Sequence, residues 1–194
     1  MQKKSSVIKS ITFVLLLAIV LVVIFAFLTN RGDDEKVTNS GFMTPVQEVL
    51  NRNLKTNYPG TPKEVLKLYS EITRCFYSEK YTEEELAELA KKSRDLFDDE
   101  LRALQTDDEY LAALKKEIDD YKENSKTISS FSVSNSTDVK FYYYDGYDWA
   151  QLYCIYSVRV ATSIQPVQER FLMRRDADDH WKIVGWKLAE EEDE

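Results

Sequence analysis

Residues 139–161 read VKFYYYDGYDWAQLYCIYSVRVA. Aromatic and β-branched side chains dominate the stretch, and such residues suit a pleated, half-buried surface. Asp145-Gly146 divides it in two. That dipeptide signals a tight hairpin, because both central residues of the turn take positive φ. The stretch therefore reads as two antiparallel strands, 139–144 and 147–161. The second run is longer than an ordinary strand, so a bend or bulge is expected within it.

Three further runs share this character: 128–133 (ISSFSV), 167–175 (VQERFLMRR) and 180–188 (HWKIVGWKL). Between the last two, 176–179 (DADD) is a second short hairpin loop. Before Ser125 the pattern changes to helical. Four capping boxes mark helix starts: Thr44 with Gln47, Thr61 with Glu64, Thr82 with Glu85 and Thr106 with Glu109. In each, the threonine oxygen and the acidic or amide side chain satisfy backbone N–H groups that the first turn leaves open. Pro45 and Pro62 take the first helical position, where a missing N–H costs nothing. Three apolar stripes at helical spacing follow. The first is Val65, Leu68, Tyr69, Ile72, Cys75 and Phe76. The second joins Leu86, Leu89, Leu96, Phe97, Leu101 and Leu104, and the third joins Leu111, Leu114, Ile118 and Tyr121. The stretch 57–60 (NYPG) is a turn. Three to four helices followed by a strand meander give an α+β fold, with the helices packed on one face of an antiparallel sheet.

Further upstream, residues 11–28 (ITFVLLLAIVLVVIFAFL, Ile11 to Leu28) carry no charge, glycine or proline. As a helix the run would be about 27 Å long, close to the hydrocarbon thickness of a bilayer. Lys3, Lys4 and Lys9 precede it; Asp33, Asp34 and Glu35 follow. Basic flanks stay in the cytoplasm, so the expected order is a cytoplasmic N-terminus (1–10), a transmembrane helix (11–29), a flexible linker (30–43), an extracytoplasmic domain (44–190) and an acidic tail (191–194). The competing reading is a cleaved secretory signal, but the run is long for one and its exit, FAFLTNRG, lacks a small-x-small site. The partner so implied is the membrane.

All 34 acidic residues lie beyond the apolar run, against 23 of the 26 basic ones. That excess argues against nucleic acid as a partner. Cys75 and Cys154 sit among apolar neighbours and read as buried thiols, although an extracytoplasmic location would permit a disulfide. A single histidine, His180, rules out the usual zinc sets, and no cofactor is implied. His180 is expected at a solvated hairpin exit, Asp138 and Asp148 at turns. The arginines Arg170, Arg174 and Arg175 are expected to pair with acidic helices.

The order of helices and strands resembles the nuclear transport factor 2-like (SnoaL-like) cone fold. The last strand, HWKIVGWKL, is similar to the W-K-I-x-x-W ending of that superfamily, and the acidic DADD hairpin before it also fits. More closely, the chain is similar to an uncharacterised family of single-span bacterial proteins with such a domain outside the membrane. The matching stretches are NYPGTPKEVLKLYSEI, EELAELAKKSRDLFDDEL and WKIVGWKL. The resemblance implies a pocket between sheet and helices, but no catalytic residue carries over, because no catalytic motif matches.

Tyrosines crowd the two central strands. Tyr143, Trp149 and Tyr153, with Trp181 and Trp186 of the last strand, are the candidate ligand- or partner-binding residues. Register decides which face each takes, and sequence leaves it open. Exposed aromatics on a sheet face would suit a recognition surface. The sequence thus favours a tethered, non-catalytic module that contacts another envelope protein or a second copy of itself. The alternative is a small apolar-ligand binder or enzyme using a pocket between sheet and helices.

Overall fold

The computed structural model describes residues 43–189. The expected N-terminus (1–10), span (11–29), most of the linker and the acidic tail lie outside the described residues. Among the described residues, no helix is long and apolar enough to cross a membrane.

Five helices come first: α1 (Pro45–Leu50), α2 (Pro62–Ser78), α3 (Glu83–Arg94), α4 (Asp99–Ala103) and α5 (Asp107–Glu123). All four threonine capping boxes form, with the threonine oxygen accepting from the backbone N–H three residues on. The second apolar stripe does not continue as one helix. Its chain leaves α3 after Arg94, and Asp98 caps α4 by accepting from the Glu100 N–H at 3.0 Å. Leu96 and Phe97 are buried by this break, whereas Leu104 is exposed.

The reason for the break lies in the sheet. Strands β1 (Lys126–Val133), β2 (Lys140–Tyr144), β3 (Tyr147–Val160), β4 (Ser163–Arg175) and β5 (Trp181–Leu188) form one bent antiparallel sheet. Residues 96–98 lie along its β5 edge: the Asp98 N–H donates to the Ile183 carbonyl at 2.8 Å, and the Ile183 N–H to that of Leu96 at 2.9 Å. An open strand edge invites pairing with other chains, and this segment covers it.

The long β3 is not interrupted by a bulge. It is shared, pairing β2 through Tyr147–Gln151 and β1 through Cys154–Val160 on one side, and β4 through Trp149–Val160 on the other. The irregularities fall in its neighbours, in β1 between Ile128 and Ser130 and in the β4–β5 ladder at Leu172/Met173. β4 starts earlier than expected, at Ser163, and includes Pro166. β5 reaches only to Glu169, so Pro166 has a neighbour on one side alone, where a residue without an N–H is tolerated. The β2–β3 turn is as the sequence predicts, with Asp145 at φ 50° and Gly146 at φ 83°.

Alternate β3 residues, Ala150, Leu152, Cys154, Tyr156 and Val158, are buried toward the helices. Register places Phe171 and Met173 of β4 beside them, and Ile183 next to Met173. Against this face α2 lays Val65, Leu66, Leu68, Ile72, Cys75 and Phe76. Both cysteines are free and buried. Ser70 of α2 reaches the sheet, with its Oγ 3.3 Å from Cys154 Sγ and 3.0 Å from Tyr156 Oη.

A cleft between the helices and the sheet

The helix layer does not close over the whole sheet. α5 buries only Leu114 and Ile118, so it meets the core along a narrow line. The small side chains of Ala113 and Thr73 face the gap that remains. The result is a cleft of about 490 Å³ bounded by α2, α4, α5, the end of α3 and the inner side of β1, β3, β4 and β5. That size suits a small organic molecule.

Aromatic rings form its walls. Trp186 stacks on Phe171 with centroids 5.8 Å apart and planes at 21°, and its ring also meets Tyr69 at 5.5 Å and Phe97 at 5.8 Å. On the other side, Tyr77 of α2 and Tyr121 of α5 lie 4.2 Å apart. Three of the tyrosine hydroxyls are already engaged: Tyr110 Oη is 3.1 Å from Ser93 Oγ, Tyr156 Oη is 3.0 Å from Ser70 Oγ, and Tyr77 donates to Glu117.

Charge enters in three places. Arg94 is buried, forms an ion pair with Asp107 at 2.6 Å, and donates to the carbonyls of Arg102 and Gln105 at 2.9 and 2.7 Å. Its guanidinium lies over the Tyr110 ring at 5.2 Å. Glu169 of β4 pairs with Cys154 in register, on the inward face that carries Phe171 and Met173. Burial, and then the negative charge of Glu117 on α5, push its carboxyl from 4.5 up to about 7. Burial and Glu117 likewise push the Tyr77 hydroxyl well above its ordinary value. A half-buried carboxyl near 7 is poised to change charge in the physiological range and could accept or deliver a proton.

The candidate aromatics are not gathered in one place. Trp186 lines the cleft. Trp181 is buried, packing against Phe141 at 5.7 Å and under Arg175 at 5.8 Å, while its carbonyl accepts from the Tyr58 hydroxyl at 2.9 Å. Trp149 faces the other side of the sheet, stacked on Tyr142, with Arg174 at 5.5 Å from its ring and its Nε1 donating to the Tyr144 carbonyl at 3.0 Å. Tyr153 lies on that same outer side, paired in register with Arg170. Tyr143 is exposed beside the hairpin turn. Arg174 grips the buried Asp98 through two nitrogens, at 2.7 and 3.1 Å, and Glu100 at 2.9 Å. Arg175 pairs with Asp148 at 3.8 Å and Asp179 at 3.4 Å. His180 stacks on Tyr58 at 4.1 Å and its backbone N–H donates to Asp176. Asp138 ends the 3-10 turn Ser136–Asp138.

Sequence reasoning missed the two carboxylates and the tyrosines of the helices. Glu169 carried a signal: in VQERFLMRR it shares the phase of Phe171 and Met173, so a strand that buries those two must also turn Glu169 inward. Glu117 carried none, because it is exposed on the rim of an acidic helix.

A family model described as a domain of unknown function (DUF6715) matches residues 1–186. That match includes the apolar run at 11–28 as well as the folded domain. No curated protein matches the chain.

Proposed function

This chain belongs to the DUF6715 family, and we propose that it is a membrane-tethered domain which holds a small, largely apolar molecule in the cleft between its helices and sheet. The observation that carries the reading is the cleft itself: about 490 Å³, walled by aromatic rings, with Glu169 turned inward from the sheet. Clefts of a few hundred Å³ that combine aromatic walls with placed polar groups are a usual form of small-molecule sites.

Tethering rests on residues 11–28, whose length, apolarity and basic N-terminal flank suit a single span with the domain outside the cytoplasm. The family match begins at residue 1, so the run belongs to what the family shares. Helices followed by a bent antiparallel sheet, with a cleft between the layers, also support the nuclear transport factor 2-like reading. The fold alone names no activity.

A second reading keeps one specific observation. Phe141, Tyr142, Tyr143, Tyr144 and Tyr147 are all exposed around the β2–β3 turn. Such a patch suits contact with another envelope protein or a second copy of the chain. The two readings separate in one experiment on the full-length chain in non-ionic detergent, a thermal-shift screen against small aromatic compounds run beside sedimentation. Ligand-induced stabilisation that Trp186→Ala removes supports the cleft. Self-association that Tyr143→Ser abolishes, with no compound raising the melting temperature, would overturn it.

A further inference from the structure

The chemistry of the lining restricts what the cleft can hold. Arg94, the one cation in the described lining, is already matched by Asp107 and two carbonyls. The Tyr110 and Tyr156 hydroxyls are matched by serines. The acidic groups of the lining are Glu169 and Glu117, and Glu117 already accepts from the Tyr77 hydroxyl. Among the described residues the Glu169 side chain has no hydrogen bond or ion pair, and the charged group that acts on it is another carboxylate. Glu169 is half-buried, so its charged form keeps only part of its hydration and a cationic partner would favour it.

Three ligand chemistries can be compared. An anion would bring a third negative charge into a partly desolvated space. A neutral apolar molecule would fill the walls but leave Glu169 unpartnered and further from water. A cation would supply the missing partner and would also be drawn to the faces of the surrounding rings. We infer that the ligand is an organic ammonium ion, its charged end between Glu169 and Glu117 and its hydrocarbon body against Trp186 and the tyrosines. This rests on the reading that the cleft is a ligand site.

Binding then couples to pH. The titratable groups around Glu169 are Glu117, Tyr110 and Tyr121 from α5, Tyr69 and Tyr77 from α2, Cys154 and Tyr156 from β3, and the paired Arg94 at the end of α3. Lys126 of β1 stands 5.8 Å from the Tyr121 ring. Burial raises the tyrosine and cysteine groups, so none of them ionises between pH 5 and 8. Glu169, near 7, is the group that does.

The test is calorimetric titration of the full-length chain in non-ionic detergent with three matched probes: phenethylammonium, 2-phenylethanol and phenylacetate. At pH 8 the ammonium ion is expected to bind at least about tenfold more tightly than the alcohol, a difference of one charge-assisted contact. From pH 8 to 5.5 its affinity should fall by about sevenfold, as a group titrating near 7 passes to a neutral form that binds about tenfold more weakly. Glu169→Gln should bring the ammonium ion to the level of the alcohol and flatten the pH profile. Equal or tighter binding of the alcohol, or an ammonium affinity unmoved by Glu169→Gln, would overturn the inference while leaving the cleft as a ligand site. Binding of none of the three would overturn both.

Discussion

Replacing Glu169 by glutamine is expected to stabilise the unliganded domain at pH 8 and to leave it nearly unchanged at pH 5. In the folded chain this carboxyl titrates near 7 instead of 4.5, because it is partly buried and faces Glu117. The folded state therefore keeps a proton that the unfolded chain gives up. Its stability contribution is intact below about 4.5 and is lost as pH rises through about 7. The full displacement corresponds to about 3 kcal/mol at roughly 1.4 kcal/mol per pH unit. The side chain keeps some contact with water, which reduces this to about 1.5 kcal/mol. Glutamine copies the neutral carboxyl in shape and removes the charge, so the gain should appear at pH 8 and fade toward pH 5. In a domain of this size that is a rise in melting temperature of about 3–6 °C. Urea unfolding followed by tryptophan fluorescence, for both proteins at both pH values, measures it. A variant equally destabilised at both pH values would refute the placement of Glu169 on the inner face.

Other expectations follow from particular contacts. Asp98→Ala should cost about 3–5 kcal/mol by the same unfolding assay, because it strands the half-buried Arg174 and removes the α4 cap. Thr61→Ala should cost about 1 kcal/mol through loss of the α2 capping box, with no effect on ligand binding. The apolar run should keep the protein in the membrane pellet through alkaline carbonate extraction, and external protease should reach a C-terminal tag in osmotically opened cells. Release into the supernatant would refute the tether.

The helices were legible because their signals are local: a threonine with a glutamate or glutamine three residues on, in two cases with a proline between them, fixes a helix start whatever packs later. The β2–β3 hairpin was legible for the same reason, through Asp145-Gly146. The break between α3 and α4 was not. It depends on residues 96–98 pairing with β5, more than eighty residues away, and the apolar period runs across it unchanged. The extent of β4 was obscured by Pro166, whose tolerance comes from the short reach of β5. As for the site, crowding of aromatics drew attention to β2 and β3, but only Trp186 of the candidates lines the cleft. The carboxylates there gain their character from being brought together across layers, which no local pattern records.

The chain's three tryptophans provide the most direct measurement. Trp186 lines the cleft, Trp181 is buried away from it and Trp149 is on the outer side of the sheet. In a ¹⁵N spectrum each contributes one indole N–H signal. Titration of the full-length, ¹⁵N-tryptophan-labelled chain with phenethylammonium at pH 8 should move the Trp186 signal in a saturable way and leave the other two in place. Movement of Trp149 alone, or of none, would contradict the cleft as the binding site.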